Sequence, residues 1–216
     1  MKETANHSST AVKSEKFFTV RNMAFIAVMA ALICVAAPFA IPMPGLVPIS
    51  LATFAIYLAG GILGAKKGTL AVLIYVLIGA VGLPVFSGAK GGFEALFGVT
   101  GGYIIGYIPC ALLSGLFVDL FFKSGIIKRL SDKKGISRAA GWIGAVWAVP
   151  VGMILGTVVL YAFGTVWFVI ARGVTLEVAL ASCVIPFLPG DAIKIVCASA
   201  VTIALRDRLS RIMVGQ

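Results

Sequence analysis

Six stretches of the chain, roughly residues 23 to 41, 46 to 64, 69 to 84, 100 to 122, 140 to 168 and 183 to 205, run on almost without a charged residue. A helix of about 20 apolar residues crosses a hydrocarbon layer of ~30 Å, and most of these stretches approach that length. In lipid the backbone must satisfy its own hydrogen bonds, which leaves helices and closed barrels. A barrel strand alternates polar and apolar residues, and the run from Ala71 to Leu83, AVLIYVLIGAVGL, does not. Composition points the same way. The chain is 60% hydrophobic and 12% charged, whereas a soluble domain carries about a quarter charged residues. The predicted fold is an all-α integral membrane protein with six transmembrane helices. Residues 1–22 form a polar N-terminal tail, 23–206 the membrane domain and 207–216 a basic C-terminal tail.

The basic residues test this partition, because loops rich in Lys and Arg stay on the cytoplasmic side. With the N-terminus inside, fifteen of the eighteen fall in cytoplasmic segments: Lys2 to Arg21, Lys66 and Lys67, Lys123 to Arg138, and Arg206 to Arg211. Lys90 and Arg172 fall outside, and Lys194 lies within the sixth span. An odd number of spans would scramble this segregation, so both termini are predicted to be cytoplasmic. The net charge of +10 is spread over alternate loops without a nucleic-acid-binding motif, and is read as a topology signal and a contact with anionic lipid. The first span, preceded by basic residues, imitates a signal peptide. Its Pro-rich exit and the five later spans favour an uncleaved helix.

Several chemistries are excluded by what the sequence lacks. The only histidine, His7, lies in the polar tail, so neither a histidine metal site nor a Ser-His-Asp triad can be assembled. Cys34, Cys110, Cys183 and Cys197 show no CxxC spacing and read as small packing residues. Gly64-Ala-Lys-Lys-Gly-Thr69 does not match a P-loop. Uphill movement driven by ATP would need another subunit to hydrolyse it.

Ionisable groups at membrane depth are costly and so point to function. Asp191 and Lys194 occur in Phe187-Leu-Pro-Gly-Asp-Ala-Ile-Lys194. With a helix starting at or just after Gly190, their spacing puts both on one face, and the carboxylate sits near the positive end of the helix dipole. The alternative is that Asp191 caps the helix while Lys194 snorkels to the headgroups. Asp119, near the cytoplasmic end of span four, is expected to be solvated or paired with a lysine. Between spans three and four, residues 82–103 interleave seven glycines with Phe86, Phe93 and Phe97. That composition suits either a loop folding over a small ligand or a structural re-entrant loop. In span one, Ala24, Ala27 and Ala31 recur at helical spacing, a face suited to close helix approach within this bundle or from another subunit.

These segments resemble the BioY family, the biotin-specific substrate-capture (S) components of energy-coupling-factor (ECF) transporters. The resemblance is carried in order by residues 40–49 (AIPMPGLVPI), Leu63-Gly-Ala-Lys-Lys-Gly68, Gly82-Leu-Pro-Val-Phe86 with Gly91 and Gly92, Thr100-Gly-Gly-Tyr103, and Leu188-Pro-Gly-Asp-Ala-Ile-Lys194. The sequence departs at Val99, where proline is expected before the threonine. The resemblance implies a multi-pass protein of a prokaryotic cell membrane that binds biotin from outside. Its implied partners are a transmembrane coupling (T) subunit and two cytosolic ATPases, with no cofactor or metal of its own. The implied substrate-binding residues are Asp191, Lys194, Phe86, Gly92, Gly101 and Tyr103, and the T subunit is expected against Ala27 and Ala31. The rival readings are a stand-alone secondary carrier or channel, which lacks the usual relay of ionisable groups, and an intramembrane enzyme, which lacks His and paired carboxylates.

Overall fold

The computed structural model describes residues 19–41, 47–123 and 137–214. Most of the N-terminal tail, the Pro-Met-Pro-Gly piece at 42–45 and the basic cluster from Lys128 to Lys134 lie outside the described residues. The first helix, α1 (Val20–Ala36), stops short of Pro38: Ala37 keeps helical angles, but the proline nitrogen has no hydrogen with which to extend the ladder. Two-residue strands β1 (Ala40–Ile41) and β2 (Ile49–Ser50) then pair antiparallel, with Ala40 opposite Ser50 and Ile41 opposite Ile49. Six further helices follow among the described residues: α2 (Ala52–Ala80), α3 (Phe93–Phe97), α4 (Gly101–Lys123), α5 (Ser137–Arg172), α6 (Leu176–Cys183) and α7 (Leu188–Val214).

The 29 residues of α2 are two arms joined by a break at Gly64, whose φ of 82° and ψ of 177° are not helical. A Cβ added to Gly68 would lie 2.4 Å from the carbonyl oxygen of Ala59. Nine residues along a straight helix would separate those positions by ~13 Å, so the chain doubles back, residues 52–63 lying beside 65–80. Glycine is required at the turn twice over. Its φ falls in the left-handed region, and a Cβ there would meet the Asp119 carboxylate at 2.5 Å.

Close backbone approach holds the remaining helices. Gly60 and Gly115 bring α4 against both arms of α2, a Cβ on Gly115 falling 2.5 Å from the Ala65 nitrogen. Gly152 and Gly156 bring α5 against α4 at Phe117, Ser114 and Cys110. Lipid supplies no hydrophobic drive between helices, so small residues that maximise van der Waals contact form these seams. Pro109 and Pro150 lie inside α4 and α5 without ending them. Large apolar side chains face outward, among them Leu77, Leu120, Trp147, Val166 and Val196. Four helical segments, Ala52–Ala80, Gly101–Phe122, Gly144–Arg172 and Leu188–Arg206, are long and apolar enough to cross a membrane, and α1 is a shorter apolar helix. The architecture is that of an all-α membrane protein, apart from the one short strand pair.

Polar contacts mark the two ends of the bundle. At one end Lys67 Nζ donates to Asn22 Oδ1 at 2.9 Å, the Ala65 N–H donates to Asp119 Oδ2 at 2.9 Å, and Arg206 pairs with Asp119. The expectation for Asp119 is thereby corrected, since its basic partner is an arginine of α7 and its carboxylate is mostly enclosed. At the other end Ser50 Oγ donates to the Ala37 carbonyl at 2.7 Å, and Asp191 gathers Thr53 and Tyr161. On α1, Ile26, Met29, Ala30 and Ile33 are buried, while Ala24, Ala27 and Ala31 are exposed.

Filling a glycine seam should be costly where the backbone blocks it. Gly68→Leu is expected to lower thermal stability in detergent by the equivalent of about 1–3 kcal/mol. Gly190→Ala, where an added Cβ meets nothing within 4 Å, should leave the melting temperature almost unchanged.

Candidate functional site

The helix α7 begins at Leu188, two residues before the predicted start. Pro189 fits this first turn because its missing N–H has no intrahelical acceptor there. Asp191 therefore sits in the opening turn, its own N–H donating to the Phe187 carbonyl at 2.8 Å, with its carboxylate near the positive end of the helix dipole.

That carboxylate is 3% exposed and fully engaged. Asp191 Oδ1 accepts from Lys194 Nζ at 3.0 Å and from Thr53 Oγ1 at 3.2 Å, and Oδ2 accepts from the Tyr161 hydroxyl at 2.6 Å. Lys194 Nζ spends its three donors inside the protein, on Asp191, on Thr53 Oγ1 at 3.0 Å and on the Ser50 carbonyl at 2.7 Å. The lysine does not snorkel. One full negative and one full positive charge are held side by side, so this end of the site is polar but electrically neutral overall, as a low-dielectric setting demands.

The pair forms part of the wall of a cavity holding about 530 Å³ of space between atoms, mouth included. Tyr75, Tyr103, Ile104, Tyr107, Leu160 and Phe187 supply flat apolar surface, and Ser50, Thr53, Ser87, Thr100 and Tyr161 supply further polar groups. The Tyr75 hydroxyl and Ser87 Oγ are buried and have no hydrogen-bond partner among the described residues. Below the pair, the Tyr57 hydroxyl and Thr157 Oγ1 lie 2.5 Å apart.

Of the predicted binding residues, Asp191, Lys194 and Tyr103 line this cavity, whereas Phe86, Gly92 and Gly101 do not. The Tyr103 ring stacks on Phe187 at 6.4 Å, and its hydroxyl donates to the Cys183 carbonyl at 2.7 Å. Phe86 stands edge-on behind Tyr75, ring centroids 5.6 Å apart, and fills the space a side chain at Gly79 would need. Gly92, at a φ of 89°, precedes α3 and donates to the Gly79 carbonyl at 2.7 Å. At Gly101 a Cβ would strike the Leu96 carbonyl at 1.8 Å, so this glycine permits the tight start of α4. Phe93 and Phe97 are exposed rather than set into the wall. Sequence reasoning did not identify Ser50, Thr53, Tyr161, Tyr75 or Tyr107. The signal was present in span five, where Thr157, Tyr161 and Thr165 repeat at four-residue spacing inside an otherwise apolar run.

Comparison with known proteins identifies the family. The family model described as the BioY family matches residues 6–211. The chain belongs to the BioY family. Among its relatives, the biotin transporter BioY of Rhodobacter capsulatus is 36% identical over 186 residues, covering 82% of this chain and 88% of that protein. The biotin transporter BioY of Thermotoga maritima is 36% identical over 188 residues, covering 87% and 96%. A crystal structure of the S-component for biotin from an ECF-type ABC transporter superposes with a TM-score of 0.68 at 29% identity, over 87% of this chain and 92% of that one. The BioY relatives are transporters, not enzymes.

Because the two charges neutralise each other, removing one should harm the protein more than removing both. Lys194→Met strands the Asp191 carboxylate and is expected to destabilise by about 3–5 kcal/mol. The double variant Asp191→Asn/Lys194→Met should recover much of that loss in ligand-free thermal unfolding.

Proposed function

We propose that this chain captures biotin in the cavity beside Asp191 and Lys194 and takes it up as the S component of an ECF-type ABC transporter. The observation that carries the reading is the buried, mutually neutralised acid–base pair on the wall of an otherwise largely apolar pocket. Biotin carries a ureido ring with two N–H donors and a carbonyl acceptor, an apolar bicycle and chain, and a terminal carboxylate. The uncharged ureido ring matches the neutral pole. On binding, a ring N–H replaces one of the hydroxyls on Asp191, Lys194 turns one of its three internal donors to the ring carbonyl, and the aromatic wall covers the apolar part. The Tyr75 and Ser87 hydroxyls are donors suited to the carboxylate. Buried groups that lose a partner are costly, so such a site discriminates against analogues lacking the ureido N–H groups.

The same reading assigns six crossings. The two arms of α2 count separately, and with α1, α4, α5 and α7 they make six apolar helical segments. Contacts at the Asn22, Lys67, Asp119 and Arg206 end alternate with those at the Asp191 end along the chain, an order that supports having both termini on the Lys66–Lys67 side. The positive loops favour that side as the cytoplasmic one in a prokaryotic cell, with the cavity facing outward. The energy comes from two ATPase subunits, joined through a coupling subunit that packs on the exposed Ala27 and Ala31 face of α1. Close approach of a partner helix in lipid favours such small residues.

In detergent and without ATP, the purified protein is expected to bind biotin; calorimetry that detects no heat at micromolar biotin removes this function. Asp191→Asn and Lys194→Ala should each weaken binding at least tenfold, in line with the ~1.5–3 kcal/mol of a charged hydrogen bond. Affinities that match the wild type in both would relocate the site. When the transporter subunits are expressed together, Ala31→Trp should abolish co-purification of the coupling subunit while leaving biotin binding intact. Retention of that subunit would rule out this face.

A further inference from the structure

The end of the bundle opposite the cavity holds a second buried charge pair, which the proposed function does not use. Arg206 is 7% exposed, pairs with Asp119 of α4, and stacks over the Phe122 ring at 5.1 Å. Its position relative to the broken α2 helix is specific. In an unbroken helix the Ala65 N–H would donate to the Gly61 carbonyl. Here the Ala65 N–H donates to Asp119 Oδ2, and the Gly61 carbonyl accepts from Arg206. The ion pair is thus spliced into the backbone bond that Gly64 opens. A carboxylate satisfies the start of one arm, a guanidinium satisfies the end of the other, and the two join α4 to α7.

The consequence for α7 is axial. Its contact with the first arm of α2 runs in one direction, with Asp191 beside Thr53, Thr202 against Gly61, and Arg206 on the Gly61 carbonyl. Between the ends α7 buries Ile195, Ala198 and Ser199, and its outward face carries Ile193 and Val196. Smooth apolar surfaces in lipid set no register along the helix axis, whereas charged hydrogen bonds do. We propose that Arg206 and Asp119 are positioning residues for the ligand site. By gripping the Gly61–Ala65 break they fix where α7 stands along α2, and so hold Asp191 and Lys194 level with Thr53 and Ser50, ~18–22 Å away along α7.

This inference rests on the biotin reading for its affinity measurement only, and a second readout needs no ligand. In full-length protein that remains folded, Arg206→Ala is expected to weaken biotin binding about tenfold, the usual size of coupling between distant sites. Residues this far apart normally act additively within about twofold. Thr53→Ala should therefore cost clearly less in the Arg206→Ala background than in the wild type, because its contact is already out of register. Wild-type affinity in Arg206→Ala, or two losses that simply add, overturns the proposal. Should Arg206→Ala fail to fold, Asp119→Asn, which weakens the pair while keeping its shape, should show the same non-additivity. Without biotin, amide hydrogen exchange over residues 188–195 should quicken in the variant, and unchanged exchange there also overturns it. Wild-type protein that binds no biotin would sink the functional reading, and the exchange experiment would still decide this one.

Discussion

A charge carried into a hydrocarbon layer has no water to turn to, and the structure is organised around that fact. Asp191 and Lys194 persist at the cavity because each neutralises the other and because Ser50, Thr53 and Tyr161 occupy their remaining hydrogen-bonding capacity. Removing any one of these groups leaves another unsatisfied in a medium of low dielectric, where the cost is largest. The result is a preorganised polar spot, neutral in sum, on an otherwise largely apolar wall. Such a spot prefers a guest that is polar without net charge at the point of contact.

The same constraint acts on the backbone. Breaking α2 at Gly64 frees a carbonyl and an N–H within the protein, and Arg206 and Asp119 take them up. Glycine allows the reversal, but the ion pair makes it affordable. Glycine also brings the helices together, since Gly60, Gly68, Gly115 and Gly156 each sit where a Cβ would collide with a neighbouring backbone oxygen or nitrogen. Polar groups at the two ends define where helices stop against one another, and small residues between them permit the contact. The loop from Gly82 to Thr100 works by the same division. Its glycines turn the chain, Phe86 props Tyr75 from behind, and Ser87 and Thr100 reach the cavity.

Much of this was legible in the chain before any coordinates. Unbroken apolar runs demand helices in lipid, and an acid and a base three residues apart inside an apolar segment demand each other. These are local statements, decided by composition and helical spacing within a few turns. What the sequence left open was each group's third partner. Thr53, Tyr161 and Lys194 are 138, 30 and 3 residues from Asp191, and only the last lies within one helix turn. Phe86 and Gly101 could not be separated from wall residues by type, because an aromatic ring or a glycine serves equally as lining or as support. Asp119 was assigned the wrong kind of partner for a similar reason, its arginine lying 87 residues away on another helix. The sequence by itself determined that the chain spans lipid and carries a paired charge, because the cost of exposing apolar surface or burying a lone ion depends on composition alone. Only the tertiary structure decided which hydroxyls complete that pair and which charges close the break in α2, because those contacts depend on how the apolar helices stack along one another.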